Sequence, residues 1–275
     1  MSVIANLVGK LAGLYARKMP EHRGKFRALN ILDRCLGPFR LNVPASGITL
    51  RVFLSSPMDV YYISTAAEND ADIPLDKVTL RLIEALNPGD IFIDIGANIG
   101  YFAIQAAKRV GPRGLVVAVE PSNREYMRLL QNICDNDVCN IITVHAALGK
   151  SNGSARLAVH PHHTGLNKVE ADVNIGGLPV ALFRGSQVLT SLLAGRYPRI
   201  VKIDVEGGEL DVLDGMRDLL ALQRPESVVV EITPKFLAHL GHCKADIYAI
   251  MQALGYEPTV NLNAEQYDEV FVYRR

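Results

Sequence analysis

The chain contains the segment DIFIDIGANIGY at residues 90–101, and the apolar run FAIQAAKRV follows it to residue 110. Apolar residues lead up to a carboxylate, small residues come next, and apolar residues then recur at helical spacing. This order predicts a β-strand, a tight loop and an α-helix. A carboxylate at the end of such a strand is typical of the ligand-binding edge of an open parallel sheet.

The residue types in this loop suggest a chemical role for each position. Asp94 can accept hydrogen bonds from an ammonium or hydroxyl group of a ligand. Gly96 lacks a side chain, so a ligand can lie against the backbone, and Gly100 lets the helix pack closely on the strand. Asn98 tolerates a positive φ angle. Together with Ala97, these residues form the first part of a candidate cofactor site.

The spacing of the glycines in this loop argues against a dinucleotide cofactor. A Gly-x-Gly-x-x-Gly fingerprint counted from Gly96 would need glycine where the chain has Asn98 and Tyr101. A nicotinamide-dependent oxidoreductase would share the same sheet and stays an alternative. So does a protein that keeps the fold and binds the cofactor without catalysing a reaction.

Length and composition describe a globular protein. The chain has 275 residues, of which 49% are hydrophobic and 21% charged, and its formal net charge is zero. We find no run of 18 apolar residues and no signal peptide. Four cysteines without a CxxC pair indicate reduced, mostly buried thiols, so we expect a cytoplasmic protein.

The N-terminal part of the chain is basic. Residues 1–51 carry nine basic and two acidic side chains, and residues 3–15 place apolar side chains on one helical stripe. We expect this stripe to pack on the body of the protein or on a second copy in a homo-oligomer. Peripheral contact with a membrane surface is the alternative.

A hairpin is predicted next, with strands at residues 39–43 and 48–54. We expect this region, together with residues 60–63, to form a lid or the edge of a substrate cleft. The chain is therefore divided into an N-terminal helical and hairpin extension at residues 1–75 and a main domain at residues 76–275.

A second carboxylate follows the next predicted strand. Residues 115–119 form a continuous apolar run, which suits a strand covered on both faces, and Glu120 ends it. Glu120 lies 26 residues after Asp94. This is close to the spacing at which an acid binds ribose hydroxyls in nucleotide-binding folds. Glu120 therefore joins the candidate cofactor site.

Residues beside Glu120 extend that site. Pro121 follows directly, and Ser122 to Glu125 match a capping box that would begin the next helix. Ala146 comes just after a predicted strand at residues 141–144. Its small side chain would leave room for a flat adenine ring.

The alternation of strands and helices stops between residues 150 and 195. His160, His162 and His163 cluster there, but Pro161 interrupts them and no acid follows at ligand spacing. We therefore predict no metal site at these histidines. An insertion at this point is well placed to shape a substrate pocket.

The second informative segment is KIDVEGGE at residues 202–209. Period-two alternation predicts that Lys202, Asp204 and Glu206 lie on one side of a strand. Burying three ionisable groups is costly unless they pair or meet a polar ligand. The alternative is an ion pair between Lys202 and one acid that only fixes the end of the strand.

A doubly wound sheet would bring these segments together. In the strand order 3-2-1-4-5 the fourth strand lies beside the first, so Asp94 and Asp204 would flank one crevice. A fifth strand at residues 227–232 adds Glu231 to the same edge. A helix and two strands after residue 245 fit the closing hairpin of a seven-stranded sheet.

The segments DIGANIG at residues 94–100 and KIDVEGGE, about 100 residues apart, resemble the motifs of the FkbM family of S-adenosylmethionine-dependent methyltransferases. The resemblance implies the class I methyltransferase fold, an α/β, Rossmann-like sheet of seven strands. It also implies S-adenosyl-L-methionine as cofactor and methyl transfer to a hydroxyl of a small molecule, such as a sugar, a glycolipid or a polyketide-type product.

The resemblance assigns residues to the two motifs. Those implied for the cofactor are Asp94, Gly96, Asn98, Gly100 and Glu120, and those of the second motif are Lys202, Asp204, Glu206 and Glu209. A nucleic-acid acceptor is not expected, because the sequence shows neither a base-flipping pocket motif nor an aromatic and basic surface.

The acceptor hydroxyl needs a base, and the sequence offers several candidates. We expect Asp204, Glu206 or Glu231 to accept the proton, with Lys202 as an orienting charge. His145 and His163 are less favoured. A divalent cation held by the acids is an alternative way to lower the pKa of the hydroxyl.

Overall fold

A computed structural model of the chain describes residues 15, 23–43, 47–59, 62, 77–160, 167–170, 177–259 and 264–274. The predicted N-terminal amphipathic helix, apart from Tyr15, lies outside the described residues, and so do His162 and His163. Within the described residues, no helix has the length and apolar character needed to cross a membrane.

The extension contains a helix and a hairpin. Helix α1 (Arg23–Leu36) precedes strands β1 (Phe39–Val43) and β2 (Ile48–Val52), which pair antiparallel and confirm the predicted hairpin. Every second residue of β2 is buried, because one face of the hairpin is covered. Leu50 and Ile104 belong to one buried cluster, so the hairpin packs on the main domain.

The main domain alternates strands and helices. Its elements are α2 (Lys77–Glu84), β3 (Ile91–Ile95), α3 (Tyr101–Val110), β4 (Leu115–Val119), α4 (Asn123–Asp135), β5 (Ile141–Val144), β6 (Ala147–Gly149), β7 (Gly153–Ala158), β8 (Lys168–Glu170), β9 (Leu178–Arg184), α5 (Gly185–Leu193), β10 (Ile200–Ile203), α6 (Glu209–Gly215), α7 (Arg217–Gln223), β11 (Ser227–Ile232), α8 (Pro234–His239), α9 (Lys244–Ala253), β12 (Tyr256–Pro258) and β13 (Tyr267–Tyr273).

Seven strands form the central sheet in the order β12-β13-β11-β10-β3-β4-β5. Strands β5, β4, β3, β10 and β11 run parallel, whereas β13 pairs antiparallel with both β11 and β12. This topology confirms the predicted doubly wound α/β sheet with its closing hairpin. Strand β10 lies beside β3, at the point where the strand order reverses.

The sheet is covered on both faces, which explains its continuous apolar strands. All five residues of β3 are buried. Ile91 and Ile93 belong to the core on one face, and Phe92 belongs to the core on the other face with Ala103 of α3. Because side chains alternate along a strand, Asp94 points to the same face as Phe92.

The region at residues 150–195 contributes strands β7, β8 and β9 to a second sheet in the order β6-β9-β7-β8. The chain after residue 208 forms two helices, α6 and α7, which meet at Met216. One prediction needs correction: the four cysteines are free but exposed rather than mostly buried.

Gly215 of α6 packs closely against β6 of the second sheet, and we predict that Gly215→Ala destabilises the protein. A Cβ at this position would lie 1.9 Å from the carbonyl oxygen of Gly149 on β6. Two backbone segments would have to separate, so the free energy of unfolding in urea should fall by about 1–3 kcal/mol.

The matched control is Gly208→Ala at the other end of α6. A Cβ there would meet only the Cγ2 of Val205, at an ordinary contact distance of 3.6 Å. Equal free energies of unfolding for the two variants would contradict the packing described for Gly215.

Candidate functional site

A cavity of about 720 Å³ lies at the carboxyl ends of the parallel strands. Ten of the residues assigned to the candidate site line it: Gly96, Ala97, Asn98, Glu120, Pro121, Ala146, Lys202, Asp204, Glu206 and Glu231. Asp94, Gly100 and Glu209 are not among its lining residues. The two sequence motifs therefore meet at one cavity.

The glycines of the first motif serve the protein's own packing. Gly96 has a φ of 84°, and a Cβ there would lie 1.7 Å from the carbonyl oxygen of Asp204. A Cβ at Gly100 would lie 2.6 Å from the Cδ1 of Leu129 in α4. Gly96 therefore makes room for the loop after β10, and Gly100 makes room for α4 rather than for the strand. A ligand against the backbone of Gly96, which lines the cavity, stays a prediction. Asn98 adopts a φ of 51°, as predicted.

Asp94 lies behind the wall of the cavity. It is fully buried, and neither carboxylate oxygen has a hydrogen-bond partner among the described residues. Its neighbour on β10 is Lys202. Burial raises the pKa of Asp94 to about 6, although the positive charge of Lys202 opposes the shift. A direct contact between Asp94 and a cofactor stays a prediction.

Glu120 connects the loops after β3 and β4. Its carboxylate accepts hydrogen bonds from the backbone amides of Asn98 at 2.9 Å and Ser122 at 2.8 Å. Burial raises the pKa of Glu120 to about 8, against the effect of these two amides. Each carboxylate oxygen keeps a second lone pair, so the group can also accept hydrogen bonds from ligand hydroxyls.

The predicted capping box is wrong. Helix α4 does begin after Ser122, but the Ser122 hydroxyl donates to the carboxylate of Glu125 and caps no backbone amide. Glu120 takes over part of that role, because it accepts the hydrogen bond from the amide of Ser122.

Ala146 and the region between residues 150 and 195 contribute to the cavity lining. Ala146 is 1% exposed and lies between β5 and β6. Asn167 and Leu182 come from the region between residues 150 and 195. An adenine ring beside Ala146 stays a prediction.

A buried ion pair lies where β10 ends. The ammonium of Lys202, whose side chain is 3% exposed, lies 2.7 Å from a carboxylate oxygen of Asp204. It also lies 4.9 Å from the ring centre of Phe102. Burial disfavours the charge on Lys202, but the carboxylates of Asp204 and Asp94 outweigh this effect and raise the pKa of Lys202.

Three carboxylates gather beside that ion pair. Asp204, Glu206 and Glu231 each offer an oxygen, and these oxygens lie within 4.8 Å of one another. Burial, reinforced by the charge of Asp204, raises the pKa of Glu206 to about 8 and also raises that of Glu231. This spacing is compatible with the divalent-cation alternative.

The route by which Glu206 reaches the cluster differs from the prediction. Strand β10 ends at Ile203, so Asp204 and Glu206 belong to the following loop and not to one face of a strand. Glu206 adopts a φ of 59°, which is rare for a residue with a long side chain. Its Oε2 atom is buried and has no hydrogen-bond partner among the described residues.

Glu209 shapes this loop from within. Its carboxylate accepts hydrogen bonds from the backbone amides of Gly207 at 2.9 Å and Val205 at 3.3 Å. Burial raises its pKa to about 7.

His145, a less favoured candidate for the base, does not line the cavity. It is exposed and stacks on Tyr126 with ring centres 4.4 Å apart.

Several residues that line the cavity were not predicted from the sequence. Met58 and Tyr62 come from the extension, and Phe236, His242 and Gln266 come from the C-terminal part of the chain. The lid predicted near residues 60–63 indicated the region of Met58 and Tyr62. No motif or periodicity marked the others.

Taken together, the lining fits a nucleoside that carries a positive charge. Glu120 can accept hydrogen bonds from ribose hydroxyls, and Ala146 has a small side chain. Asp204, Glu206 and Glu231 lie close together, so a cationic group bound beside them would favour their ionised forms.

Comparisons with known proteins agree with this chemistry. The domain family described as "Methyltransferase FkbM domain" matches residues 94–258. Hexuronic acid methyltransferase AglP of Haloferax volcanii is 32% identical over 191 residues, which cover 68% of this chain and 72% of that protein. Methyltransferase 1 of Beauveria bassiana is 27% identical over 151 residues, covering 48% of this chain and 60% of that protein.

The chain is also similar to solved structures at low sequence identity. The structure of M. jannaschii TYW2 in complex with AdoMet gives a TM-score of 0.43 at 15% sequence identity. The match covers 86% of this chain and 87% of that chain.

We predict that the ligand-free protein becomes less stable as the pH rises from about 5 to 8. Burial raises the pKa of Glu120 and Glu206 to about 8, whereas a glutamate in an unfolded chain has a pKa of about 4.3. Between these values the folded state holds protons that the unfolded chain has released. Raising the pH therefore favours unfolding.

Urea unfolding at a series of pH values checks this prediction. The slope of stability against pH should be shallower in Glu120→Gln, because that side chain cannot ionise. Glu84→Gln changes an exposed glutamate of α2 and should keep the wild-type slope. A wild-type slope in Glu120→Gln would show that the buried carboxyl is not the cause.

Proposed function

Because the chain belongs to the FkbM family of methyltransferases, which use S-adenosylmethionine as methyl donor, we propose that it methylates a hydroxyl group of a sugar or of a sugar-bearing product. The observation that carries this proposal is the group of three carboxylates in the cavity. The name of the Haloferax relative, a hexuronic acid methyltransferase, favours a saccharide acceptor.

The three neighbouring carboxylates suit an acceptor that carries several hydroxyl groups. A free hydroxyl is a weak nucleophile and gains from a base within hydrogen-bond reach. Asp204, Glu206 and Glu231 present several acceptor oxygens close together. Neighbouring hydroxyls of a sugar can donate to two of these side chains while the third receives the proton.

We assign proton acceptance to Glu206, whose ionised form is favoured once a positive charge is bound beside it. Asp204 is held by Lys202 at 2.7 Å, and the Oε1 of Glu231 accepts a hydrogen bond from Gln266 at 2.8 Å. The Oε2 of Glu206 has no such partner among the described residues. Its positive φ costs roughly 1–3 kcal/mol, and residues held in such conformations concentrate at active sites.

The remaining residues of the site bind and orient the cofactor and the acceptor. When bound, the cofactor supplies the methyl group and a positively charged sulfur. Glu120 and Ala146, which line the cavity, are suited to hold its nucleoside. The Lys202–Asp204 ion pair fixes the loop that carries Glu206. Holding donor and acceptor in line contributes roughly 7–11 kcal/mol toward the barrier of a displacement reaction.

Radiolabelled S-adenosylmethionine tests the acceptor class. The purified protein is incubated with methyl glucopyranoside and, separately, with methyl glucuronide, and transferred label is counted before and after mild alkali. We expect alkali-stable label, because methylation of a hydroxyl gives an ether. Alkali-labile label would reveal an ester and place the methyl group on a carboxylate instead.

The Glu206→Gln variant tests the base. Loss of general-base catalysis should lower turnover by about 10²- to 10⁴-fold, while calorimetry shows an unchanged affinity for S-adenosylhomocysteine. Glu84→Gln is the control and should keep full turnover.

Three results would count against this assignment. Full turnover of Glu206→Gln would remove Glu206 from the mechanism. Loss of turnover on adding a chelator, restored by Mg²⁺, would favour the divalent-cation alternative. An absorbance change at 340 nm with a nicotinamide cofactor, without methyl transfer, would favour an oxidoreductase.

A further inference from the structure

The cavity is not built by the family domain alone. The family match begins at residue 94, yet Pro57, Met58 and Tyr62 are among the residues that line the cavity. All three belong to the extension that follows the N-terminal hairpin. We refer to residues 53–59 together with Tyr62 as the covering segment.

A buried ion pair anchors the covering segment to α4. Asp59 is fully buried, Arg128 of α4 is 7% exposed, and the guanidinium of Arg128 lies 2.5 Å from the carboxylate of Asp59. Asp59 also accepts hydrogen bonds from the amide of Phe53 and the hydroxyl of Ser56. Arg128 donates in addition to the carbonyl oxygen of Arg51. The two contacts of Arg128 tie residues 51 and 59 to one point on α4, and the contacts of Asp59 with Phe53 and Ser56 hold the segment together.

A ring contact anchors the other end of the covering segment to α3. Tyr62 stacks on Tyr101, the first residue of α3, with ring centres 4.8 Å apart. Tyr101 meets Phe102 edge to face, and the ring of Phe102 lies 4.9 Å from the ammonium of Lys202. Aromatic contacts thus connect the segment to the cation beside the carboxylates.

The two anchors lie on the helices that follow the cofactor loops. Helix α3 begins directly after the loop at residues 96–100, and α4 begins directly after residues 120–122. The segment, attached to Tyr101 and to Arg128, therefore contacts both of these helices. Its side chains at residues 57, 58 and 62 face the same cavity as Asn98 and Glu120.

We propose that the covering segment closes the cofactor part of the cavity and that Asp59 and Arg128 are positioning residues that hold it there. The bound cofactor then leaves slowly, because the segment must detach from α4 first. This inference needs the cofactor site but neither the proposed acceptor nor the proposed base.

The dissociation rate of S-adenosylhomocysteine, measured by stopped-flow displacement, tests the proposal. Asp59→Asn and Arg128→Met should each speed dissociation at least tenfold. Met58→Ala leaves the ion pair intact and should speed it about threefold. Hydrogen exchange should accelerate at the amides of residues 53–59 in Arg128→Met, while β3 and β10 keep their wild-type rates.

Two control variants separate this role from general instability. Arg217→Met removes an exposed ion pair with Asp214, and Ile247→Val weakens the buried packing of α9. Both should release S-adenosylhomocysteine within twofold of the wild-type rate. If Arg128→Met does not fold, Asp59→Asn and Met58→Ala carry the test.

Two outcomes would overturn the inference while the proposed function stands. One is a wild-type dissociation rate in both Asp59→Asn and Met58→Ala. The other is an equal acceleration in Ile247→Val, which would reduce the effect to lost stability. Failure of the wild-type protein to bind S-adenosylhomocysteine would instead remove the cofactor site, and this inference with it.

Discussion

The close contact between Gly96 and the carbonyl oxygen of Asp204 sets the geometry of the whole site. Strands β3 and β10 are parallel neighbours, so their loops leave the sheet side by side. A single Cβ at position 96 would lie 1.7 Å from that oxygen and force the loops apart. The contact fixes the distance between the loop that begins α3 and the loop that carries Glu206. The glycine that makes the fold possible thereby also positions the chemistry.

Buried charge is the second property that the site depends on. Asp94 and Asp204 flank Lys202, and Glu206 and Glu231 add two further carboxyls whose pKa burial raises. Ionised carboxylates in such surroundings are costly unless a cation compensates them. Lys202 pairs with Asp204, whereas the raised pKa values of Glu206 and Glu231 favour their protonated forms. A sulfonium cofactor brings a positive charge to the same cavity, so binding and the charge balance of the site are linked.

How much the sequence reveals depends on whether the signal is local. Strands β3 and β4 could be predicted because burial on both faces gives continuous apolar runs. Alternation from Lys202 to Glu206 misled the prediction, since the pattern continues in the sequence after the sheet has ended. Strand β9 is mostly exposed, and its sequence shows little alternation between apolar and polar residues. The Asp59–Arg128 pair joins residues 69 positions apart, which no local pattern shows.

The central claim is that a sulfonium nucleoside binds where β3 and β10 lie side by side, with Glu120 on its ribose. A crystal structure with S-adenosylhomocysteine tests this most directly. We predict that the ribose hydroxyls lie within about 3.2 Å of the Glu120 carboxylate, with the sulfur between the loop at residues 96–98 and the carboxylates of Asp204 and Glu206. A ligand bound elsewhere, or a ribose that does not contact Glu120, would contradict it.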